Sequence, residues 1–377
     1  MNKKELGIYI HIPFCKKKCC YCDFVSYSNK KDLIFKYIEC LSKEIESINF
    51  ENYNITTIYI GGGTPSYIES IYIEKIINKL KEKLINNKTE FENIEITIEI
   101  NPGTVNKEKI NSYKKVGINR VSLGLQSTNN SILKQLGRIH TYEEFLDAYN
   151  IVKKAGYNNI NVDLMIGIPN QTITEIKESL EKIIKLDPTH ISVYSLIVED
   201  GTCMSEYIKN KILKLPDEEL ERQMYWYVKN TLELNGYTHY EISNFARSGF
   251  ESKHNLNCWE QKEYIGLGAA AHSYLNNKRY SNLENLEEYI IDFNKKQIQE
   301  TQDIEAKKKE YMLLGLRKIQ GVSIQKFKEK FIQNPLYIYR NELEKLASQK
   351  LIVVDGNYIK LTNKGLDFAN LVWEEFV

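Results

Sequence analysis

No apolar run in this chain is long enough to span a bilayer, and neither sign of charge dominates, with 51 Lys and Arg set against 50 Asp and Glu. The first absence excludes a membrane-spanning helix, and the second removes the basic footprint of a nucleic-acid binder. No secretory signal is recognisable, so the 7 cysteines are expected to stay reduced and disulfides are disfavoured. A second C-x2-C or Cys/His pair is also missing, since Cys40, Cys203 and Cys258 stand alone. Structural zinc is therefore the weaker use of the thiols. A cytoplasmic protein is expected, with docking at a membrane surface left open.

What the chain does have is a strand-like run, Ile8-Tyr9-Ile10-His11-Ile12-Pro13-Phe14-Cys15, leading into Cys19, Cys20, Tyr21 and Cys22. Cys15, Cys19 and Cys22 are spaced C-x3-C-x2-C on a loop that carries Lys16, Lys17 and Lys18. Three thiols so placed would hold a [4Fe-4S] cluster by three of its irons and leave the fourth free for a small ligand. Cys20 is expected to point elsewhere on so tight a loop. The lysines favour thiolate over thiol, the form a metal ligand needs.

At 377 residues the chain suits one large barrel-type domain with an appendage. Up to about residue 200, short β-rich runs alternate with longer amphipathic stretches. The runs are 6–12, 57–60, 94–100, 120–125, 161–166 and 190–196, and the helical stretches include 32–48, 67–84, 142–155 and 173–186. Such alternation predicts parallel βαβ units. Six of them predict an α/β fold of the incomplete (β/α)6 TIM type over residues 1–200, with a doubly wound sheet as the alternative. Residues 201–300 are read as an accessory α/β extension. Over 301–377, helices at 304–318 and 336–349 precede two β runs joined through Asp355-Gly356-Asn357, a hairpin signal. That pattern predicts a small winged-helix-like α+β domain whose mixed charge suits a lid or docking surface. A last helix, 364–376, has an apolar stripe expected to pack on the barrel.

In parallel α/β folds, chemistry gathers at the carboxyl ends of the strands. There this chain places the cysteine loop, Gly61-Gly62-Gly63-Thr64-Pro65, Glu99, Gln126 with Arg138 a little beyond, and Asp163. The triple glycine lacks the lysine of a phosphate loop but lets backbone approach a ligand closely. Glu99, Gln126 and Asp163 sit in or beside apolar runs, where a carboxylate needs a partner. That partner is either a structural ion pair or a ligand. Asp163 could accept from ribose hydroxyls, and Arg138 could clamp a carboxylate.

The motifs Tyr-Ile-His-Ile-Pro-Phe-Cys-x3-Cys-x2-Tyr-Cys, Gly-Gly-Gly-Thr-Pro-Ser, Glu-Ile-Asn-Pro, Leu-Gly-Leu-Gln-Ser and Val-Asp-Leu-Met-Ile-Gly-Ile-Pro resemble those of the radical S-adenosylmethionine enzymes. Within them, the chain is similar to the oxygen-independent coproporphyrinogen III oxidase group. The resemblance implies that S-adenosylmethionine chelates the open iron and that one electron cleaves it to a 5'-deoxyadenosyl radical. It implies cluster ligation by Cys15, Cys19 and Cys22, and a cofactor lining that includes Tyr9 and Tyr21. It gives Gly62, Gly63 and Thr64 to the methionine end, and Glu99, Gln126, Arg138 and Asp163 to one or two copies of the cofactor.

One position departs from the oxidase pattern, which has a further cysteine two residues past the third. Phe24 stands there, and the Cys-Asp-Phe ending resembles the related branch of haem chaperones. No obvious extension precedes the first strand, again as in that branch. His254-Asn255-Leu256-Asn257-Cys258-Trp259 resembles its His-Asn-x-x-Tyr-Trp motif, with Cys258 in place of Tyr. His254 is thus a candidate haem ligand, although a histidine hydrogen-bonded within a folded turn is the plainer reading. Beyond it, the small-residue run from Tyr264 to Ser273 would let something flat or bulky reach the backbone. The implied partners are haem, recipient respiratory haemoproteins, an electron donor such as flavodoxin or ferredoxin, and a second copy in a homodimer. The alternative function is radical oxidative decarboxylation of coproporphyrinogen III.

Overall fold

The strands of this chain are two-faced. In β1 (Lys4–Ile12), Ile8, Ile10 and Ile12 are fully buried and alternate with Tyr9 and His11. Ile96, Ile98 and Ile100 alternate likewise with Thr97 and Glu99 in β3 (Glu95–Ile100). Val121, Leu123 and Leu125 alternate with Ser122, Gly124 and Gln126 in β4 (Arg120–Gln126), and Val162 and Leu164 with Asn161 and Asp163 in β5 (Asn159–Ile166). Because strand side chains alternate in direction, this sequence builds a sheet with one apolar and one polar face. The apolar face lies under the crossover helices Ile34–Ser47, Ser70–Ile85, Lys107–Lys115, Tyr142–Lys154 and Ile173–Leu186. Their buried residues, among them Leu41, Ile77, Phe145 and Leu180, complete one large core. Two of these helices start in capping boxes, Thr141 with Glu144 and Thr172 with Glu175. Each cap stabilises its helix by about 1 kcal/mol.

The computed structural model describes residues 3–85 and 90–377. With β2 (Tyr53–Gly62) between β1 and β3, and β6 (His190–Ser195) after β5, the six strands run parallel and in chain order. Past β6 the sheet continues antiparallel through β8 (Asn244–Ala246) to β7 (Thr238–Glu241). At the other end, β9 (Tyr264–Leu267) lies parallel to β1. It is followed by the antiparallel β10 (His272–Leu275), β11 (Lys278–Asn282) and β12 (Lys296–Thr301). Strands β12 and β7 end the sheet without closing on each other, and the crossover helices cover the apolar face while the polar face lines a cavity, so the architecture is a partial barrel and the doubly wound alternative, with helices on both faces, falls. Residues 201–300 contribute strands to both edges of this sheet and share its core through Met224, Leu232, Leu286 and Tyr289.

A second core joins Tyr311, Phe327, Leu346, Ile359, Val372 and Phe376. It is framed by a three-stranded sheet of β13 (Val322–Ser323), β14 (Ile352–Val354) and β15 (Tyr358–Leu361), the winged-helix-like arrangement read from the hairpin signal. The last helix differs from expectation. It breaks at Phe368 into Asn363–Asp367 and Ala369–Glu374, and its apolar residues serve this second core, not the barrel. Phe368 and Leu371 stay about half exposed. What ties this segment to the rest is polar: Asp367 accepts from Arg222 and, at 2.9 Å, from the Trp226 indole. Among the described residues no helix is long and apolar enough to cross a membrane.

Candidate functional site

The carboxyl ends of β1 to β6 surround a cavity of about 350 Å³, within the range of small-molecule sites. Its upper wall is the cysteine loop. The loop closes on itself because Cys15 N–H donates to the Tyr27 carbonyl (3.0 Å), Cys22 N–H to the Cys19 carbonyl (3.2 Å), and the His11 ring to the Val25 carbonyl (2.9 Å). Cys15, Cys19 and Cys22 all line the cavity. Cys20 turns away, its N–H donating to the Leu136 carbonyl and its side chain packing beside Leu136 and Met204. No group of three or more His, Cys, Asp or Glu among the described residues is gathered tightly enough for a single metal ion. Three thiols on one cavity, with no second Cys or His pair among the described residues lining it, are the donor set of a cluster held at three corners rather than of a four-coordinate zinc. Burial pushes the Cys15 and Cys22 thiols up, Cys22 to about 11, and outweighs the pull of Lys18. The lysines therefore do not by themselves produce thiolates, and bound iron would have to displace the protons.

Opposite the thiols stands the glycine loop, which folds tightly against the loop it faces. A Cβ at Gly62, whose φ is +112°, would strike the His11 ring at 2.5 Å, and one at Gly63 would meet the Cys15 sulfur at 3.0 Å. Only glycine fits both places. Gly62 N–H and the Tyr59 hydroxyl donate to the Glu99 carboxylate (3.3 and 2.8 Å). Burial nevertheless raises Glu99 to about 7, with Asp163 adding to the shift. Asp163 accepts from Asn161 (2.7 Å) and Ser122 (3.3 Å) and is also raised by burial. Gln126 reaches the cavity from a strained position, φ +73°, where the pairing of β4 with β5 slips by one residue. A bulge that re-aims a side chain at a cavity is a common functional device. Arg138 sends one guanidinium nitrogen to the Gly124 carbonyl (2.6 Å) and another to the Cys19 sulfur (3.6 Å). Its Nε is buried without a protein partner, and with five N–H donors the guanidinium keeps hydrogens beyond these two bonds for a ligand.

Of the residues singled out from sequence, the cavity gathers the three cysteines, Tyr21, Gly62, Gly63, Thr64, Glu99, Gln126, Arg138 and Asp163. Tyr9 lies beneath them, donating to His11 Nδ1 (2.9 Å) and stacked on Tyr59. His254 is not in the lining. It is 8 % exposed, shares a hydrogen bond with the Thr57 hydroxyl (2.9 Å) and packs against the Tyr59 ring. Burial holds its imidazole neutral, down at about 4. Sequence reasoning missed Arg120, Ser122, Asn161, Ser192 and Tyr194 in the cavity wall. The strict alternation of polar and apolar residues in β4 and β5 was the available signal. The glycine-rich run after β9 also has a local explanation. A Cβ at Gly266 would lie 2.2 Å from the His272 carbonyl, and one at Gly268 would lie 2.2 Å from the Tyr37 hydroxyl. The flat thing approaching that backbone is the protein's own chain.

The Radical SAM superfamily profile matches residues 9–183, and the HemN C-terminal domain profile matches residues 305–368. The protein named heme chaperone HemW of Lactococcus lactis is 39% identical, over 100% of this chain and 98% of its own length. The chain belongs to the HemW family of the radical S-adenosylmethionine superfamily. The Bacillus subtilis protein of the same name is 35% identical, with 98% of each chain covered. Among solved structures, the coproporphyrinogen III oxidase HemN of Escherichia coli superposes with a TM-score of 0.85 over 99% of this chain and 90% of that one. At 21% identity that likeness speaks for the fold. Membership brings a [4Fe-4S] cluster and S-adenosylmethionine as cofactors, and the wall of thiols facing a glycine loop is a place both would fit.

Proposed function

We propose that this protein is a haem chaperone. On this reading it binds haem and passes it to respiratory haemoproteins, and it holds a [4Fe-4S] cluster on Cys15, Cys19 and Cys22. The observation that carries the reading is the likeness over the whole chain to proteins named heme chaperone HemW. Phe24, 63 % exposed at the mouth of the cavity, adds support, because it supplies no thiol where the oxidase pattern has one. Glu99, Gln126, Asp163 and Arg138 would hold S-adenosylmethionine, a cation through its sulfonium, in this cavity. When bound it supplies radical chemistry, and the residues around it orient it and exclude water. Reduction of the cluster calls for a donor such as flavodoxin or ferredoxin. A cytoplasmic location, with recipients met at the membrane surface, and a homodimer complete the reading.

The reading separates from the oxidase alternative in one experiment. Protein reconstituted without oxygen and incubated with coproporphyrinogen III and S-adenosylmethionine is expected to yield no protoporphyrinogen, while taking up added haem in near-stoichiometric amount. Protoporphyrinogen formation in catalytic excess would overturn the chaperone assignment.

Glu99 gives the site a pH signature. Its folded value of about 7 lies above the ordinary 4.5 of a glutamate, so the native state holds more protons than the unfolded one between those values. Its contribution to stability is complete below 4.5 and is lost as pH rises through about 7. Affinity for a cationic ligand runs the other way, because only the ionised carboxylate attracts a positive sulfonium. S-adenosylmethionine binding is therefore expected to strengthen as pH climbs through 7. Glu99→Gln is expected to flatten that dependence and weaken binding about ten- to hundredfold. Calorimetric titration across this range checks both, and an unchanged slope in the variant rejects the role.

A further inference from the structure

We propose that His272 is the protein residue that coordinates haem iron, an inference that rests on the chaperone reading above and names the ligand for it. Six histidines occur in the sequence, and five of them, His11, His140, His190, His239 and His254, are 8 % exposed or less. Most are committed to internal bonds. His11 uses one ring nitrogen on the Tyr9 hydroxyl and the other on the Val25 carbonyl, and His190 uses its two on Asn161 and Tyr240. His254 is locked on Thr57 beneath Tyr59. An axial donor must present a ring nitrogen to a macrocycle that approaches from outside, and a buried, bonded imidazole cannot do so without local unfolding. His272 is the exposed one.

Its position suits the task. It opens β10, immediately after the buried Ala269 and Ala271, with its carbonyl against Gly266. Gly266 is the register partner of Tyr9 on β1, and Tyr274 pairs with Tyr264. Strand alternation therefore turns His272 toward the concave face that Tyr9 and His11 share. It lies close enough to His11 to act, behind burial, among the groups that hold that ring neutral, and the His11 ring lies against the glycine loop of the cavity. The strand is held from both sides, by pairing of His272 with Ser281 and by the Ser273 hydroxyl accepting from Gly266 N–H at 2.9 Å. A ligand on a paired strand is fixed in direction, as metal sites require. Lower on the same face, Arg279 is engaged by Glu310 of the C-terminal domain.

The test loads anaerobically purified full-length protein with hemin and compares wild type, His272→Gly and His254→Ala by the Soret band, electron paramagnetic resonance and the rate of haem loss to apomyoglobin. His272→Gly is expected to shift the Soret maximum and the spin state and to speed haem loss at least about tenfold. Added imidazole is expected to restore the wild-type spectrum. His254→Ala is expected to lower the melting temperature but leave the spectrum of the folded, haem-loaded fraction as in wild type. A wild-type spectrum in His272→Gly overturns this assignment and leaves the chaperone reading standing. Loss of the signal in folded His254→Ala with His272→Gly unaffected gives the ligand to His254. Failure of the wild-type protein to take up hemin removes both the assignment and the reading beneath it.

Discussion

Replacing Cys19 by serine is expected to reduce the iron and sulfide bound after anaerobic reconstitution by at least about tenfold, beyond the usual cost of losing an outer-shell partner of a metal site. Serine keeps the shape of the loop but offers a hydroxyl far too weakly acidic to replace a thiolate on iron. The three cavity-facing thiols come from one short loop whose ends are pinned by Cys15 N–H on Tyr27 and His11 on Val25, so no other thiol can swing into the gap. Cys20, the nearest, is held the other way by its N–H on Leu136 and by Met204 N–H on its carbonyl (2.7 Å). Cys20→Ser is accordingly expected to reconstitute like wild type. The paired result, cluster lost in one variant and kept in the other, distinguishes a three-thiol site from any arrangement that uses four. A full complement of iron in Cys19→Ser, or its loss in Cys20→Ser, would contradict the assignment. Because S-adenosylmethionine would bind partly through the cluster, its affinity in Cys19→Ser is expected to fall as well.

The division between what the sequence disclosed and what it hid follows from the range of the interactions. The six strands, the partial barrel and the cysteine loop were legible because each rests on local signals: alternation, turn residues, a short motif. Glu99, Gln126 and Asp163 could be placed on one rim because the carboxyl ends of parallel strands must share it. Arg120 was passed over although its alternation with Val121 and Leu123 puts it on the face of Gln126, because it stands at the amino end of β4, away from the rim where chemistry gathers. The strands at both edges also escaped. β9 pairs with β1 across more than 250 residues of chain and leads into a glycine-rich run shaped by contacts with Tyr37 and the carbonyls of His11 and His272. The final helix was misplaced for a similar reason. An apolar stripe says that a helix packs, while the partner, here the second core around Tyr339 and Phe327, is set by tertiary structure.

The residue whose removal should cost the fold most was invisible from sequence, being one glutamate among many on an amphipathic helix. Glu44, 3 % exposed on Ile34–Ser47, is the polar hub joining that helix to the sheet edge beyond β1. Its carboxylate accepts from Gly268 N–H (2.8 Å), Asn282 Nδ2 (2.7 Å), the Tyr289 hydroxyl (2.7 Å) and Lys296 Nζ (3.3 Å). Glu44→Ala strands these donors in a dry place and leaves the Lys296 charge without its counter-ion. The expected destabilisation is about 3–5 kcal/mol, the range for breaking a buried ion pair by deleting one partner. Glu44→Gln should recover little of it, because the amide would turn two hydrogens toward groups that are themselves donors. Hydrogen exchange is the measurement that localises the loss. Amides of β9, β10 and β11 are expected to exchange faster in Glu44→Ala, while those of β4 and β5 keep their protection. Uniform protection in the variant, or a loss of less than about 1 kcal/mol by urea unfolding, would mean that water or a shifted side chain replaces the carboxylate. Since β10 also carries His272, the same variant is expected to release haem faster than wild type.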